Sequence, residues 1–420
     1  MRAVHYDPSS VALGRVLAPP YDVISPELQR DLYGRDPHNF VRIEFGLQLE
    51  GDRPGERDRY TRAAEYLSSW LSEGVLKRDV QASLYISDHE FRLPQGQWCR
   101  RRGLFTRLPA LPWERAQIRP HERTRPGPKQ DRLCLMRATR MQTSPVFGLW
   151  DGSPRLTAVL EEVAEAQPPL AHGECQGEIA LERHTIWAVS DAAARERILG
   201  ALEGAELYVA DGHHRYETAV AYAAERRAED PGLPAGQDSD YCLVYLCAAN
   251  DPSVIPLPTH RLLLPLPGLP DSLHSLAARL EGAFEIRELP TFEAAMAEAR
   301  QRHRAEHAFA VVTRDGAGVV SRRRDPAAGQ REALDVVVLD EELLPQIRRG
   351  AADAGDCLGY TRDADDLESS VHNDEAVLGF ALNAFSTADI IAVSRQGESM
   401  PPKSTYFYPK VPAGLVLLPV

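Results

Sequence analysis

The sequence predicts a mixed α/β fold, and three observations carry that prediction. Helix-like and strand-like segments alternate along the chain instead of segregating into runs of one kind. Short apolar runs such as Leu207–Ala210 and Tyr241–Ala249 have the length and bulk of buried strands. The composition, 43% hydrophobic and 26% charged, is that of an ordinary globular protein, and 420 residues suffice for two or three cores.

The elements follow in chain order. Residues 18–26 form a Pro-rich loop that feeds a helix, with Ser25 as N-cap and Pro26 in the first turn. Arg57–Glu73 reads as a helix. Ala82–Phe91 and Arg102–Leu108 read as strands, joined as a hairpin through a turn at 94–97. The polar, Pro-bounded stretch Ile118–Lys129 reads as an irregular functional loop, followed by a helix over Asp131–Thr143. Val146–Trp150 is a strand and a helix runs on to about Ala166. His184–Val189 is a strand, Ala192–Leu202 a helix, Leu207–Ala210 a strand, and Tyr216 to about Arg227 a helix. After the strand Tyr241–Ala249 and the turn leading to Pro258–Leu262, the three prolines of Leu264–Pro270 suggest a linker. Beyond it, helices (Leu273–Glu281, Phe292–His303) alternate with strands (Ala308–Thr313, Gly318–Ser321), and Ser404–Tyr408 has period-two alternation. The expected organisation is an N-terminal α/β unit over 1–110, a core over 111–265, and a C-terminal α/β unit over 266–420 that returns to the site.

Charge and cysteine content narrow the function classes. A formal charge of −13 argues against a general nucleic-acid binder, which needs a basic face. It leaves room for a small anion pocket built from local cations. The six cysteines are irregularly spaced with no CxxC pair, so neither a disulfide framework nor a zinc site is expected, and Cys242 and Cys247 belong to a core strand. No apolar run reaches membrane-spanning length and the start carries no apolar signal core, so no membrane association and a cytoplasmic location are expected.

Chemistry concentrates in the stretch Ala210–Ala219. It joins a strand to a helix through Asp211-Gly212, where Asp211 is expected to cap the helix and Gly212 to let a ligand approach the backbone. A helix start attracts anions, and His213, His214 and Arg215 add donors there, so Gly212 to Arg215 form a candidate phosphate site. A solvated Asp-Gly turn is the plain alternative. A second cluster, His121, Glu122 and Arg123 followed by Lys129, suits general-base chemistry on an anionic substrate, and its plain alternative is a solvated charged loop. A third, Lys403, Tyr406 and Lys410 near the C-terminus, combines donors and aromatics around a strand. Pro258-Thr259-His260-Arg261 offers a further cation. No GxxxxGK[ST] loop, GxGxxG turn, GxSxG elbow or HExxH pair occurs.

These stretches occur together, and in this order, in a bacterial and archaeal family catalogued as domain of unknown function 1015, which this chain resembles. The resemblance rests on Pro19–Ser25, Pro120–Thr124, Pro128–Arg132, Ser144–Leu149, Asp211–Ala219, Pro258–Arg261 and Lys403–Lys410, nearly the whole chain. One departure is Asp340, where the resemblance leads one to expect histidine. The Asp211–Arg215 stretch also resembles the phosphate box of ParB/sulfiredoxin-like proteins, some of which are kinases of free L-serine. The resemblance therefore implies a ParB/sulfiredoxin-like core and a pyrophosphate-dependent serine kinase. Glu122 would be the catalytic base, with His121 and Asp211 beside it, and Gly212 to Arg215 would hold the donor. Arg123, Lys129, Lys403, Tyr406 and Lys410 would contact substrate, and Asp211 would help place Mg2+. The expected partners are pyrophosphate or a nucleotide, and L-serine. A ParB-type nucleotide-binding regulator, or a phosphatase acting on phosphoserine, is the alternative. Phosphoryl transfer asks mainly for positioning and charge neutralisation, which this set of residues can supply.

Overall fold

The computed structural model describes residues 1–420 except 94–95, 123, 125, 178–179 and 352–356. The chain forms two compact units: Met1–Pro120, Thr124–Ile255 and Pro409–Val420 make the first, and His121–Arg123 with Pro256–Tyr408 the second. Both mix helices and sheets, so the fold is α/β as the alternation predicts.

The first unit is built on an eight-stranded sheet. Its strands in chain order are β1 (Leu84–Arg92), β2 (Trp98–Pro109), β3 (Ile118–Arg119), β4 (Val146–Asp151), β5 (Ala171–Gln176), β6 (Leu181–Val189), β7 (Glu206–Asp211) and β8 (Tyr241–Ala248). Across the sheet they run β3-β7-β4-β8-β2-β1-β6-β5. β7 pairs parallel to β3 and β8 parallel to β4, and the other neighbours are antiparallel. β1 and β2 are the expected hairpin partners, although residues 94–95 of their turn lie outside the described residues. β8 is buried from Cys242 to Ala248 because it lies between β4 and β2, with Cys242 and Cys247 in the interior. Helices Pro154–Glu165, Ala192–Leu202 and His213–Glu229 carry the apolar residues that complete this core, among them Leu160, Ile198 and Tyr216.

Ser25 caps the helix Pro26–Arg35 by accepting from the Leu28 amide, with Pro26 at its start, as the sequence predicts. Two local expectations are corrected. The stretch Ile118–Lys129 is not irregular throughout, because a helix spans Pro126–Thr139. Prolines are tolerated in a helix's first turn, where the amides they remove have no intrahelical acceptor. β5 has no strand signal in the sequence. It is an edge strand with one neighbour, half polar and interrupted by Gly173.

The second unit carries a six-stranded sheet from β9 (His260–Leu263), β10 (Glu285–Leu289), β11 (Glu306–Thr313), β12 (Gly316–Arg323), β13 (Leu358–Thr361) and β14 (Leu378–Ala381), in the order β10-β12-β11-β14-β9-β13. Helices Phe292–Arg302 and Ala364–His372 cover it, burying Phe292, Ala295, Leu367 and Val371 against Ala310 and Val312. Near the C-terminus the strand covers only Tyr406–Tyr408. Ser404 instead donates to the Pro401 carbonyl at 2.6 Å and Lys403 has a left-handed backbone with φ 59°, so a turn replaces the first part of the expected strand. Among the described residues no helix is long and apolar enough to cross a membrane.

Candidate functional site

The first unit brings one group of the predicted residues together at the end of β7. The strand stops at Asp211, Gly212 turns the chain with φ 98° and ψ 28°, and a 17-residue helix starts at His213. A left-handed backbone at this point favours glycine. A Cβ on Gly212 would also stand within 2.9 Å of the Arg215 Nε. The glycine is therefore required by both the turn and its neighbour.

Asp211 does not cap the helix, contrary to expectation. Gly212 is the N-cap and no side chain caps the helix start. Long-range and one-turn ion pairs occupy the carboxylate instead. Lys410 Nζ donates to Asp211 Oδ1 at 2.6 Å, and the Arg215 guanidinium donates to Oδ2. Burial alone would raise the Asp211 carboxyl, but Lys410 and Arg215 outweigh it and hold it well below the usual carboxylate range. Lys410 is almost fully buried and lies 3.6 Å from Asp22 as well, so a carboxylate pair keeps it protonated although burial opposes the charge. Arg215 is buried, and its other terminal nitrogen donates to the Pro145 carbonyl. Its guanidinium thus anchors the turn to the Ser144–Leu149 stretch, beside its expected place in a phosphate site.

The first helical turn carries His213, buried, and His214, half-buried, with burial pushing the His214 imidazole below its ordinary value. Glu217, one turn on from His213, was not singled out by the sequence. It accepts from Trp113 Nε1 at 3.0 Å, Thr124 Oγ1 at 2.7 Å and Lys129 Nζ at 3.1 Å. Burial raises its carboxyl, yet these three donors lower it below the ordinary value. Lys129 is therefore fixed beside the helix start. Asp22 was also missed as an individual residue, although it stands inside the Pro19–Ser25 stretch. Neighbouring Tyr21 has the Arg132 guanidinium 4.1 Å over its ring.

The second unit assembles His121 and Glu122 with the segment 400–405. The Met400 amide donates to the His121 carbonyl at 2.8 Å, and His121 Nε2 lies 3.1 Å from Thr405 Oγ1. Glu122 Oε1 accepts the Lys403 main-chain N–H at 3.0 Å. Lys403 is exposed, with its Nζ 5.2 Å from the Tyr360 ring centroid, and Arg362 stacks 3.9 Å over Tyr406. Arg123 lies outside the described residues. The departure at Asp340 has a local reason: its carboxylate takes Arg261 Nε at 3.0 Å and Nη2 at 2.8 Å, giving a fully buried guanidinium its counter-ion.

Mg2+ ligation by Asp211 meets an obstacle in this geometry. Each carboxylate oxygen already faces a cation, so a divalent ion there would share its ligand atoms with Lys410 and Arg215 and would be repelled by both charges.

Three solved structures match this chain at low identity and low TM-score. A conserved hypothetical protein from Pyrococcus furiosus is 14% identical, with 74% of this chain and 93% of that chain covered and a TM-score of 0.36. A free serine kinase in complex with AMP is 14% identical, covering 72% of this chain and 86% of that one, with a TM-score of 0.35. SbnI from Staphylococcus aureus, with a C-terminal truncation, is 11% identical over 73% of this chain and 84% of that one, with a TM-score of 0.34. Among curated proteins none matches. A family model matches residues 1–340, and the chain belongs to that family, described as protein of unknown function DUF1015.

Proposed function

We propose that this chain is a small-molecule phosphotransferase. It moves a phosphoryl group, with pyrophosphate as the first candidate donor and a nucleotide as the second, onto the hydroxyl of free L-serine. The observation that carries the reading is the Gly212 turn: a glycine with φ 98° opening a 17-residue helix, uncapped by any side chain, with Lys410 and Arg215 fixed on the preceding Asp211. A helix start of this kind favours negative charge through its amides and dipole.

In this reading Gly212, His213 and His214 receive the donor. Arg215 and Lys410 hold Asp211 in place and offset its charge beside the helix start. Glu122 accepts the hydroxyl proton of the acceptor, oriented through the Lys403 amide. Lys129 is held by Glu217 beside the helix start, where it can neutralise donor charge. Lys403, Arg123 and Tyr406 are proposed acceptor contacts. A ParB/sulfiredoxin-like core over 111–265 belongs to the same proposal. Mg2+ would come with the donor's own phosphate oxygens, not on Asp211, and no step is routed through it.

Phosphorus NMR of the purified protein with L-serine, Mg2+ and pyrophosphate, ADP or ATP in turn tests the reading. A phosphoserine signal with one donor supports it. Donor binding without transfer favours a nucleotide-binding regulator, and orthophosphate release from added phosphoserine favours a phosphatase.

A further inference from the structure

A chain of hydrogen bonds inside the second unit ends on Glu122. Its far end is Asp340, which stands in the five-residue π-helical turn Leu339–Leu343, a rare form that recurs at functional sites. The two Asp340 oxygens take the Arg261 guanidinium, through Nε at 3.0 Å and Nη2 at 2.8 Å. Arg261 stands on β9, between β14 and β13, with its side chain fully buried. A buried cation on an inner strand, gripped by two parallel bonds, has little freedom to move.

The third nitrogen carries the chain onward. Arg261 Nη1 donates to the Thr259 carbonyl at 2.7 Å and to the Lys403 carbonyl at 3.2 Å. Lys403 in turn donates its main-chain N–H to Glu122 Oε1 at 3.0 Å. Only the φ and ψ of Lys403 lie between that carbonyl and that N–H, so fixing one peptide group aims the other.

The backbone of Lys403 has a φ of 59°. Glycine is the default residue for a left-handed backbone, and a side chain with a Cβ stays there only where its surroundings enforce it. Here they act at three points. Arg261 holds the Lys403 carbonyl, and Ser404 donates to the Pro401 carbonyl at 2.6 Å. The Tyr360 ring centroid lies 5.2 Å from Lys403 Nζ and 4.9 Å from the Arg261 guanidinium. An ion pair that served burial alone would have no need of the bond to Lys403.

We propose that Arg261 and Asp340 are positioning residues for Glu122. The pair holds Lys403 in its left-handed conformation, and the Lys403 N–H then fixes which way the Glu122 carboxylate faces. The inference rests on the phosphotransferase reading for what Glu122 does, though not for how it is held.

Exchanging the pair as a unit, Arg261→Met with Asp340→Leu, tests it in the whole protein. Replacing both partners of a buried ion pair by apolar residues is often neutral for stability, whereas Asp340→Asn alone strands a buried cation. We expect faster hydrogen exchange at the Lys403 amide, followed by NMR. The kcat for phosphoserine formation should fall by about tenfold to a hundredfold, the scale of a misplaced catalytic group. The KM for the donor should stay within about twofold. Two further backgrounds separate positioning from a loosened fold. In Glu122→Gln the exchange of the pair should cost nothing more, since its effect runs through Glu122. In Lys403→Gly it should cost at most about twofold, since glycine adopts the left-handed backbone unaided. Asp340→Glu, which keeps the counter-ion but displaces the guanidinium, takes the place of the double variant if that variant does not fold, with changes in the same directions. Unchanged exchange at Lys403 overturns the proposal, and so does an equal loss of activity in all three backgrounds. Wild-type protein that makes no phosphoserine with any donor overturns the phosphotransferase reading instead, and exchange at Lys403 then decides the positioning inference by itself.

Discussion

Lys410 Nζ and Asp211 Oδ1 lie 2.6 Å apart although 199 residues separate them in sequence. The C-terminal segment Pro409–Val420 thus belongs to the first unit and reaches the end of β7 through Lys410. Removing one partner of a buried ion pair strands the other, at a cost of roughly 3–5 kcal/mol. Lys410→Met leaves Asp211 with Arg215 and partly exposed, so it should destabilise the protein by less than that figure. Lys410→Met with Asp211→Asn should recover part of the loss. Urea unfolding of the two single variants and the double variant measures the coupling, and a loss equal to the sum of the singles would show that the pair is not coupled.

Gly212→Ala puts a side chain onto a left-handed backbone and against the Arg215 guanidinium. Backbone strain of this kind costs of order 1–3 kcal/mol. The expected outcome is a lower urea midpoint and weaker pyrophosphate binding, since relief of the clash must move either the helix start or Arg215. A variant with wild-type stability and binding would show that the turn tolerates a Cβ and that the glycine is not there for the anion.

Much of this half of the site was legible because its signals are local. The apolar run to Ala210, the Asp-Gly pair and the Ala-rich helix specify strand, turn and helix within some 20 residues, and Ser25-Pro26 did the same for an earlier helix. What was misread depends on distant partners. An aspartate before a helix is ordinarily an N-cap, and a lysine far along the chain, together with Arg215, diverts Asp211 from that role. The tie of Arg215 to the Pro145 carbonyl was not legible, because that acceptor is a backbone atom with no signature. Glu217 could have been found from helix geometry, since it stands four residues after His213 and shares its face. Asp340 looked anomalous until Arg261 gave it a partner.

Glu122→Gln separates positioning from proton transfer. The amide keeps the shape of the carboxylate and can still accept the Lys403 N–H through its oxygen, but it cannot take a proton from the acceptor hydroxyl. Transfer to L-serine should fall by about 10²–10⁴-fold, the range for loss of a general base, while pyrophosphate binding measured by calorimetry stays close to wild type. Arg215→Ala should show a different signature: lower stability first, because it frees Asp211 and the Pro145 carbonyl, and weaker donor binding as a consequence. Near-wild-type turnover in Glu122→Gln would remove Glu122 from the mechanism.

The pH dependence of stability should carry the mark of His184. Burial opposes its charge, but the Cys175 sulfur and the Glu182 carboxylate raise its pKa to about 9 in the folded protein, against about 6.5 for an exposed histidine. The folded state therefore holds this proton more tightly than the unfolded chain. The resulting stabilisation is fully present below about pH 6.5 and is lost as pH rises through about 9. His89 works the other way. Burial lowers it to about 3, so the unfolded chain gains a proton there below about pH 6.5 that the folded protein takes up only near pH 3. Lys410 and Asp211 keep their charges across the interval between, since one is raised and the other lowered away from it. Urea midpoints measured from pH 6 to 9 should thus decline with a slope that His184→Gln flattens, whatever the variant's absolute stability. An unchanged slope in that variant would mean that His184 titrates near its ordinary value and that its burial is relieved by water.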